Sequence, residues 1–283
     1  MQEIIEAVDR KLLEQELTPD KFVKRTNSGN NEIYIVTCHN SPNITREIGR
    51  LREITFRDAG GGTGLACDLD EFDLDKDTPF QQLFVWDPRE KEIIGGYRFI
   101  HGKTLKRHKD GHIDTPTSEL FHLSDTFIED YLPHTIELGR SFVQPNYQPT
   151  VNLRRGMFAL DNIWNGLGAI LMQNPDVKYF FGKITMYPHY NMEARDLILY
   201  FLKKYFGDKK QLVYPHEQLE ITTPESFLEA QFTGGSYEKD YKILVHLVRQ
   251  RHENIPPLVN AYMNLSSTML FFGTSLNPGF GDV

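Results

Sequence analysis

At 283 residues, with 40% hydrophobic and 25% charged side chains, the chain can bury a sizeable core and has the make-up of an ordinary soluble protein. Its net charge of −8, with no lysine–arginine stripe to offset it, argues against nucleic acid as a partner. Two cysteines exclude a disulfide framework, and no stretch approaches the roughly 20 apolar residues of a membrane span.

Taken in order, residues 2 to about 16 place Ile4, Ile5, Val8, Leu12 and Leu13 at helical spacing and predict an amphipathic helix. The same segment is acidic and lacks a signal peptide's basic head and apolar run, so a cytoplasmic location is expected. Glu32–Cys38 reads as a strand. Ser41-Pro42 offers a cap and a first-turn proline to a helix ending near Asp58, with Ile44, Ile48, Leu51 and Ile54 on its inner face. Arg52 and Phe56 lie four apart on one side of it. Gly60–Gly64 reads as a lid or linker, because no Gly-Lys-Ser/Thr follows to make a phosphate cradle.

The run Cys67–Asp77 holds five aspartates in eleven residues but lacks the glycine and closing glutamate of a calcium loop. Two readings stand: a solvated acidic turn, or carboxylates that face a cleft and hold a cationic amine. Gln82–Trp86 and Ile93–Ile100 form a hairpin across the turn Asp87–Glu90, and Gly95-Gly96 within it marks a bulge or a close backbone approach. Residues 101–117 form a polar excursion, and a short helix is expected near 118–127.

Thr135–Val143 alternates as a buried strand, bounded by Pro133 and by Gln144–Asn146. Glu137 and Arg140, three apart, fall on opposite faces of a regular strand. A helix expected over Leu153–Gln173 opens with Arg154-Arg155, and a cationic helix N-terminus after a strand can receive a phosphate. A strand at Lys178–Met186 and a helix over Met192–Phe206, closed by Gly207, follow. This alternation implies adjacent parallel strands and a βαβ crossover. A strand near Leu212–Tyr214, a helix over Lys239–Arg251 and a last helix at Leu258–Leu265 complete an α/β (α+β) chain. It is read as one domain, 1–283, with a C-terminal helical extension from about 208.

The histidines lack metal-ligand spacing, so no metal site is expected. Ser141 lacks a hydrolase nucleophile's Gly-x-Ser-x-Gly setting, and neither Cys38 nor Cys67 has the surroundings of a reactive thiolate. Fixed charges remain: Arg52, Asp70, Asp73, Arg98, Glu137 and Arg140, of which Arg98, Glu137 and Arg140 lie in strands that otherwise look buried. Direct acyl transfer to an amine fits such a set. It needs a base for the ammonium proton, which Glu137 can supply, together with a polarised thioester carbonyl and positioning.

The series Arg52-x-x-x-Phe56, Asp70-x-x-Asp73, Gly96-Tyr97-Arg98 and Glu137-Leu138-Gly139-Arg140-Ser141, with Pro256-Pro257-Leu258 and Asn277-Pro278-x-Phe280, resembles the hemolysin-like GNAT-fold acyltransferases of ornithine lipid and glycine lipid synthesis. More distantly it is similar to acyl-homoserine-lactone synthases. The likeness spans about Ile48 to Phe280. It implies a central mixed sheet with helices on both faces, splayed where the donor's pantetheine arm enters. It also implies transfer of a 3-hydroxy fatty acyl group from acyl carrier protein, or from coenzyme A, to the α-amino group of glycine or ornithine, giving a lyso-aminolipid.

Carried over by motif, Glu137, Arg140 and Arg98 are catalytic, and Arg52, Phe56, Asp70 and Asp73 bind the acceptor. Phe142, Val143, Arg154 and Arg155 flank the phosphopantetheine. No cofactor is permanently bound, and peripheral membrane contact follows from a lipid product. Residues 144–153 contain no glycine, unlike the usual acetyltransferase phosphate loop, which suits a carrier-protein donor met by Lys103, Lys106, Arg107, Arg154 and Arg155. A further strand is expected beyond Phe280, so the chain is either a short member or a truncated one. The competing readings are a signal synthase of the homoserine-lactone type and a GNAT-like binding module without turnover.

Overall fold

The computed structural model describes residues 1–148, 151, 156 and 158–281. In chain order its elements are α1 (Arg10–Glu16), β1 (Phe22–Arg25), β2 (Glu32–Val36), α2 (Pro42–Asp58), α3 (Glu71–Leu74), β3 (Gln81–Asp87) and β4 (Glu92–His101). Then come β5 (Phe121–Leu123), β6 (Thr135–Val143), α4 (Ala159–Gln173), β7 (Tyr179–Gly182), α5 (Met192–Phe206) and β8 (Val213–Pro215). The series ends with α6 (Glu225–Gln231), α7 (Tyr237–Gln250) and α8 (Pro257–Leu265). The described residues fall into two compact units, one within residues 1–116, 129–183 and 279–281, the other of residues 117–128 and 184–278.

The first unit holds a six-stranded sheet in the order β1-β2-β3-β4-β6-β7. Its pairs are antiparallel except β6–β7, which is parallel and joined through α4, as the alternation of patterns requires. The pleat sends Leu83, Val85, Tyr97, Phe99, Ile136 and Leu138 to one face, where Ile163, Leu167 and Ile170 of α4 close the core. The opposite face receives α2. That helix lacks a side-chain cap of its own, and Glu16 from α1 supplies one: its carboxylate accepts from Asn43 N, Asn43 Nδ2 and Ile44 N at 2.8–3.0 Å.

β6 contains one residue more than β4 can match. Gly96 pairs with Phe142 and Arg98 with Gly139, so Tyr97 faces both Arg140 and Ser141. Arg140 takes up the excess in a left-handed conformation, φ 51°. Pairing with β7 ends at Leu138–Gly182, so β6 from Gly139 to Val143 runs beyond the parallel ladder. The glycine pair in β4 is a close backbone approach: a Cβ on Gly95 would collide with the carbonyl oxygen of Phe142, and one on Gly96 with that of Leu83.

In the second unit β5 and β8 form an antiparallel pair. Ala194, Leu197, Ile198, Phe201 and Leu202 of α5 bury against Leu228, Leu244, Val248, Val259 and Met263 of the three later helices. No helix among the described residues is long and apolar enough to cross a membrane.

Several elements depart from the sequence reading. The N-terminal helix forms only over Arg10–Glu16, because Gln2 N and Ile5 N donate to the carbonyls of Gly64 and Ala66 instead of to their own turn. The helix expected near 118–127 is the strand β5: Phe121 and Leu123 are buried and His122 is exposed, a period of two that pairs with β8. The strand expected to run to Met186 ends at Gly182. The short elements β1, α3 and α6 were not anticipated.

Because the two strand glycines face backbone rather than movable side chains, Gly95→Ala and Gly96→Ala should each lower stability by about 1–3 kcal/mol in urea unfolding. Gly168 of α4 is exposed with open space beside it, so Gly168→Ala should instead gain up to about 1 kcal/mol.

Candidate active site

The face of the sheet toward α2 carries an ion lattice among buried apolar side chains such as Phe84 and Ile100. Arg52 of α2 donates from Nε to Asp68 at 2.9 Å and from its two amino groups to Asp73 at 3.2 and 3.1 Å. Arg98 of β4 donates from Nη1 to Asp73 at 2.9 Å and to Asp70 at 2.6 Å, while its guanidinium lies 5.1 Å from the Phe80 ring centre. Gln82, opposite Arg98 in the ladder, donates to the other oxygen of Asp73 at 2.8 Å. Arg140 donates from Nε to Asp68 at 3.1 Å. Three guanidinium groups therefore alternate with three carboxylates.

The acidic run is folded to make this possible. Asp70 caps α3 by accepting from Phe72 N and Asp73 N, and Asp73 returns a bond from the backbone N of Asp70, forming a capping box. The turn of helix aims Asp73 inward. Of the two readings of this run, the solvated one holds for Asp75 and Asp77, which are exposed. It fails for Asp68 and Asp73, which are buried on internal arginines.

The bulge also overturns the expected phase of β6. Glu137 stands between Ile136 and Leu138, which face the α4 core, so the pleat directs it toward α2. A regular strand would put Arg140 on the α4 side. The extra residue resets the alternation, and Arg140 reaches Asp68 on the same side as Arg98 and Glu137. Phe280 lies 4.5 Å from the Arg140 guanidinium by its ring centre and meets Phe56 edge-on at 5.0 Å.

Exposure divides the lattice. The side chains of Arg52, Asp68, Asp73 and Arg98 are at most 1% exposed, whereas Arg140 and Asp70 are 20% and 23% exposed. Burial pushes the carboxyls of Asp68 and Asp73 up, but the arginines beside them more than reverse this and hold both below the usual range. Arg140 is pushed down, by burial first and then by Arg52 and Arg98, against the pull of Asp68. Burial raises Cys67 to about 11 and also raises Cys38, which does not favour a thiolate nucleophile.

Of the residues singled out by sequence, Arg52, Asp70, Asp73, Arg98 and Arg140 thus meet in one lattice, and Phe56 joins it through Phe280. Glu137 is buried on the same face of the sheet. Phe142 and Val143 lie past the end of the β6–β7 ladder. Arg154, Arg155 and the expected helix start at Leu153 lie outside the described residues. Asp68, Gln82 and Phe80 were missed. The signal for Asp68 was present in its place within the acidic run, and that for Gln82 in a polar residue at a buried strand phase.

A mixed sheet with one parallel pair, which ends partway along a bulged β6, and with helices on both faces is a GNAT-like architecture. In agreement, residues 51–155 match the family described as the acetyltransferase (GNAT) domain. A glycine N(alpha)-acyltransferase of Bacteroides thetaiotaomicron is 54% identical to the chain, covering all of it and 84% of the relative. Another from Phocaeicola vulgatus is 52% identical, covering all of the chain and 86% of the relative. The chain belongs to the GNAT-type N-acyltransferase family that contains them, and it is an acyltransferase.

Removing one partner from a buried ion pair leaves the other charge uncompensated, so Asp73→Asn should cost about 3–5 kcal/mol in chemical denaturation. Since Asp68 and Asp73 titrate lower in the folded than in the unfolded chain, their contribution is complete above the unfolded value near ~3.9 and is lost as pH falls through the folded values. Stability measured against pH should therefore drop below about pH 4, and the drop should be shallower in Asp73→Asn.

Proposed function

We propose that the protein transfers a 3-hydroxy fatty acyl group from acyl carrier protein to the α-amino group of glycine, giving a lyso-aminolipid. The observation that supports glycine as acceptor is the identity above 50%, over the whole of this chain, to two relatives named for glycine N-acylation. The lattice supports glycine over ornithine. A second cation on the acceptor would need a further acid, and Asp68 and Asp73 are already engaged by internal arginines.

The thioester enters along β6 where it runs on past the end of β7, beside Phe142 and Val143, and Arg154 and Arg155 are the residues proposed to receive the phosphate of the pantetheine arm. A backbone N–H at the bulge hydrogen-bonds the thioester carbonyl and stabilises the oxyanion that develops there. Glu137 takes a proton from the glycine ammonium, directly or through one water. The freed amine attacks the carbonyl carbon, and the tetrahedral intermediate collapses with loss of the pantetheine thiolate. The second amine proton leaves with the collapse and reprotonates the thiolate. Arg52, Asp68, Asp73 and Arg98 act as positioning residues that hold Arg140 and Asp70 in place. The absence of glycine from residues 144–153 supports a carrier protein rather than coenzyme A as donor. The reaction belongs in the cytoplasm, with the acylated product drawing the protein to the membrane surface.

Expression in a bacterium that makes no aminolipids should yield N-(3-hydroxyacyl)glycine in the lipid extract by mass spectrometry. Glu137→Gln should lower turnover by at least about 100-fold with the circular dichroism spectrum unchanged, and a wild-type rate in that variant would remove Glu137 from the mechanism.

A further inference from the structure

Within the lattice, hydrogen-bonding capacity is left over at two places, one of each sign. Arg140 makes one hydrogen bond among the described residues, from Nε to Asp68. Its Nη2 stands 3.8 Å from Asp70 Oδ2, an ion pair beyond hydrogen-bond reach, so neither terminal amino group makes a hydrogen bond among the described residues. Asp70 directs its Oδ1 to Arg98, Phe72 N and Asp73 N, whereas its Oδ2 accepts no hydrogen bond among the described residues. These are also the two partly exposed members.

The Arg140 fork is held in a fixed pose. Its backbone is in the left-handed region, a conformation that costs a non-glycine residue about 1–3 kcal/mol and persists only where its surroundings enforce it. The Phe280 ring covers the guanidinium, and Phe56 braces that ring edge-on. Phe280 belongs to the turn Gly279–Gly281, which is part of the first unit although residues 184–278 are part of the second. A guanidinium stacked in this way keeps the N–H edge of its plane for a ligand.

We infer that Arg140 and Asp70 form a receptor for an α-amino-acid zwitterion: the Arg140 fork binds the acceptor's carboxylate, Asp70 Oδ2 steadies its ammonium group, and Phe280 orients the fork. This rests on the glycine N-acylation reading and deepens it, because it makes the acceptor's carboxylate, and not merely an amine, the feature that is recognised. An incoming carboxylate would also relieve the crowding of Arg140 by Arg52 and Arg98.

The test compares glycine with glycinamide, which has the same amine and no carboxylate, at neutral pH with purified protein and a long-chain acyl carrier protein thioester. Wild type should prefer glycine by about 100-fold or more in kcat/KM, since a site built to pair a polar group rejects the analogue without it. Arg140→Gln should raise the KM for glycine by a comparable factor and lower the use of glycinamide far less, so that the preference collapses. Phe280→Leu should raise the glycine KM by about tenfold at unchanged kcat, the mark of a positioning role.

Should Arg140→Gln not fold, Arg140→Lys reads the same quantity, because it keeps the charge beside Asp68 and lacks the planar fork. Equal use of both acceptors by wild type, or an equal loss of kcat on both in the variants with KM unchanged, would overturn the receptor. Wild type that acylates no amine at all would instead overturn the glycine N-acylation reading, and the receptor with it.

Discussion

The lattice face depends on one constraint: three arginines, two of them held out of water, must each find an anion, and three aspartates supply them. Burying an ion is costly, and mutual attraction in the interior offsets that cost only when the lone pairs and protons are matched. The chain meets the constraint with Asp73. It receives two guanidinium groups and a glutamine amide, and it is aimed inward by a capping box within one turn of helix. α2, the acidic turn, β3 and β4 are tied together at this carboxylate, so the apolar contacts around it need only exclude water. Such a lattice adds little net stability compared with an apolar core. Its retention is better understood through what it positions.

What it positions is set by a single surplus residue. The bulge at Arg140 brings a third arginine onto the face that already holds Arg98 and Glu137. It lies just beyond the end of the β6–β7 ladder, so the same stretch of strand has one side chain in the charge lattice and a backbone edge without its parallel partner. On the proposed reading, donor slot and acceptor site are built from adjacent atoms of one strand. The glycine pair in β4 serves this arrangement, since only glycine lets the backbones of β3, β4 and β6 approach so closely beside the bulge.

Much of this was legible in the sequence, for identifiable reasons. Long elements with a strong period, such as α2, β6 and α5, are dictated by their own residues, and the Gly95-Gly96 signal is steric and local. The charged set was legible because arginine and glutamate inside buried strands need an explanation. The phase of Arg140 was not, because a bulge shows only in the partner strand's count and leaves no mark on the alternation of β6 itself. The acidic run misled in part because composition does not separate Asp73, fixed by Arg52 and Arg98, from Asp75 and Asp77 in solvent. β5 was misread because three residues are too few for a period, and its pairing with β8 lies about 90 residues away in the chain.

The charge balance of the lattice bears on how the reaction ends as well as on how it begins. Arg52, Arg98 and Arg140 are balanced by Asp68, Asp70 and Asp73, so the site is neutral in this respect before the acceptor arrives. On the receptor proposal, a zwitterion would enter without upsetting that balance, one charge on Arg140 and the other toward Asp70. Acylation turns the ammonium into a neutral amide and leaves the carboxylate, so the attraction to Asp70 disappears while its negative charge remains close by. The product therefore sits less comfortably than the substrate at the place where the new bond was made. If Arg140 and Asp70 receive the acceptor as proposed, their mixed pair of charges favours binding before transfer and release after it.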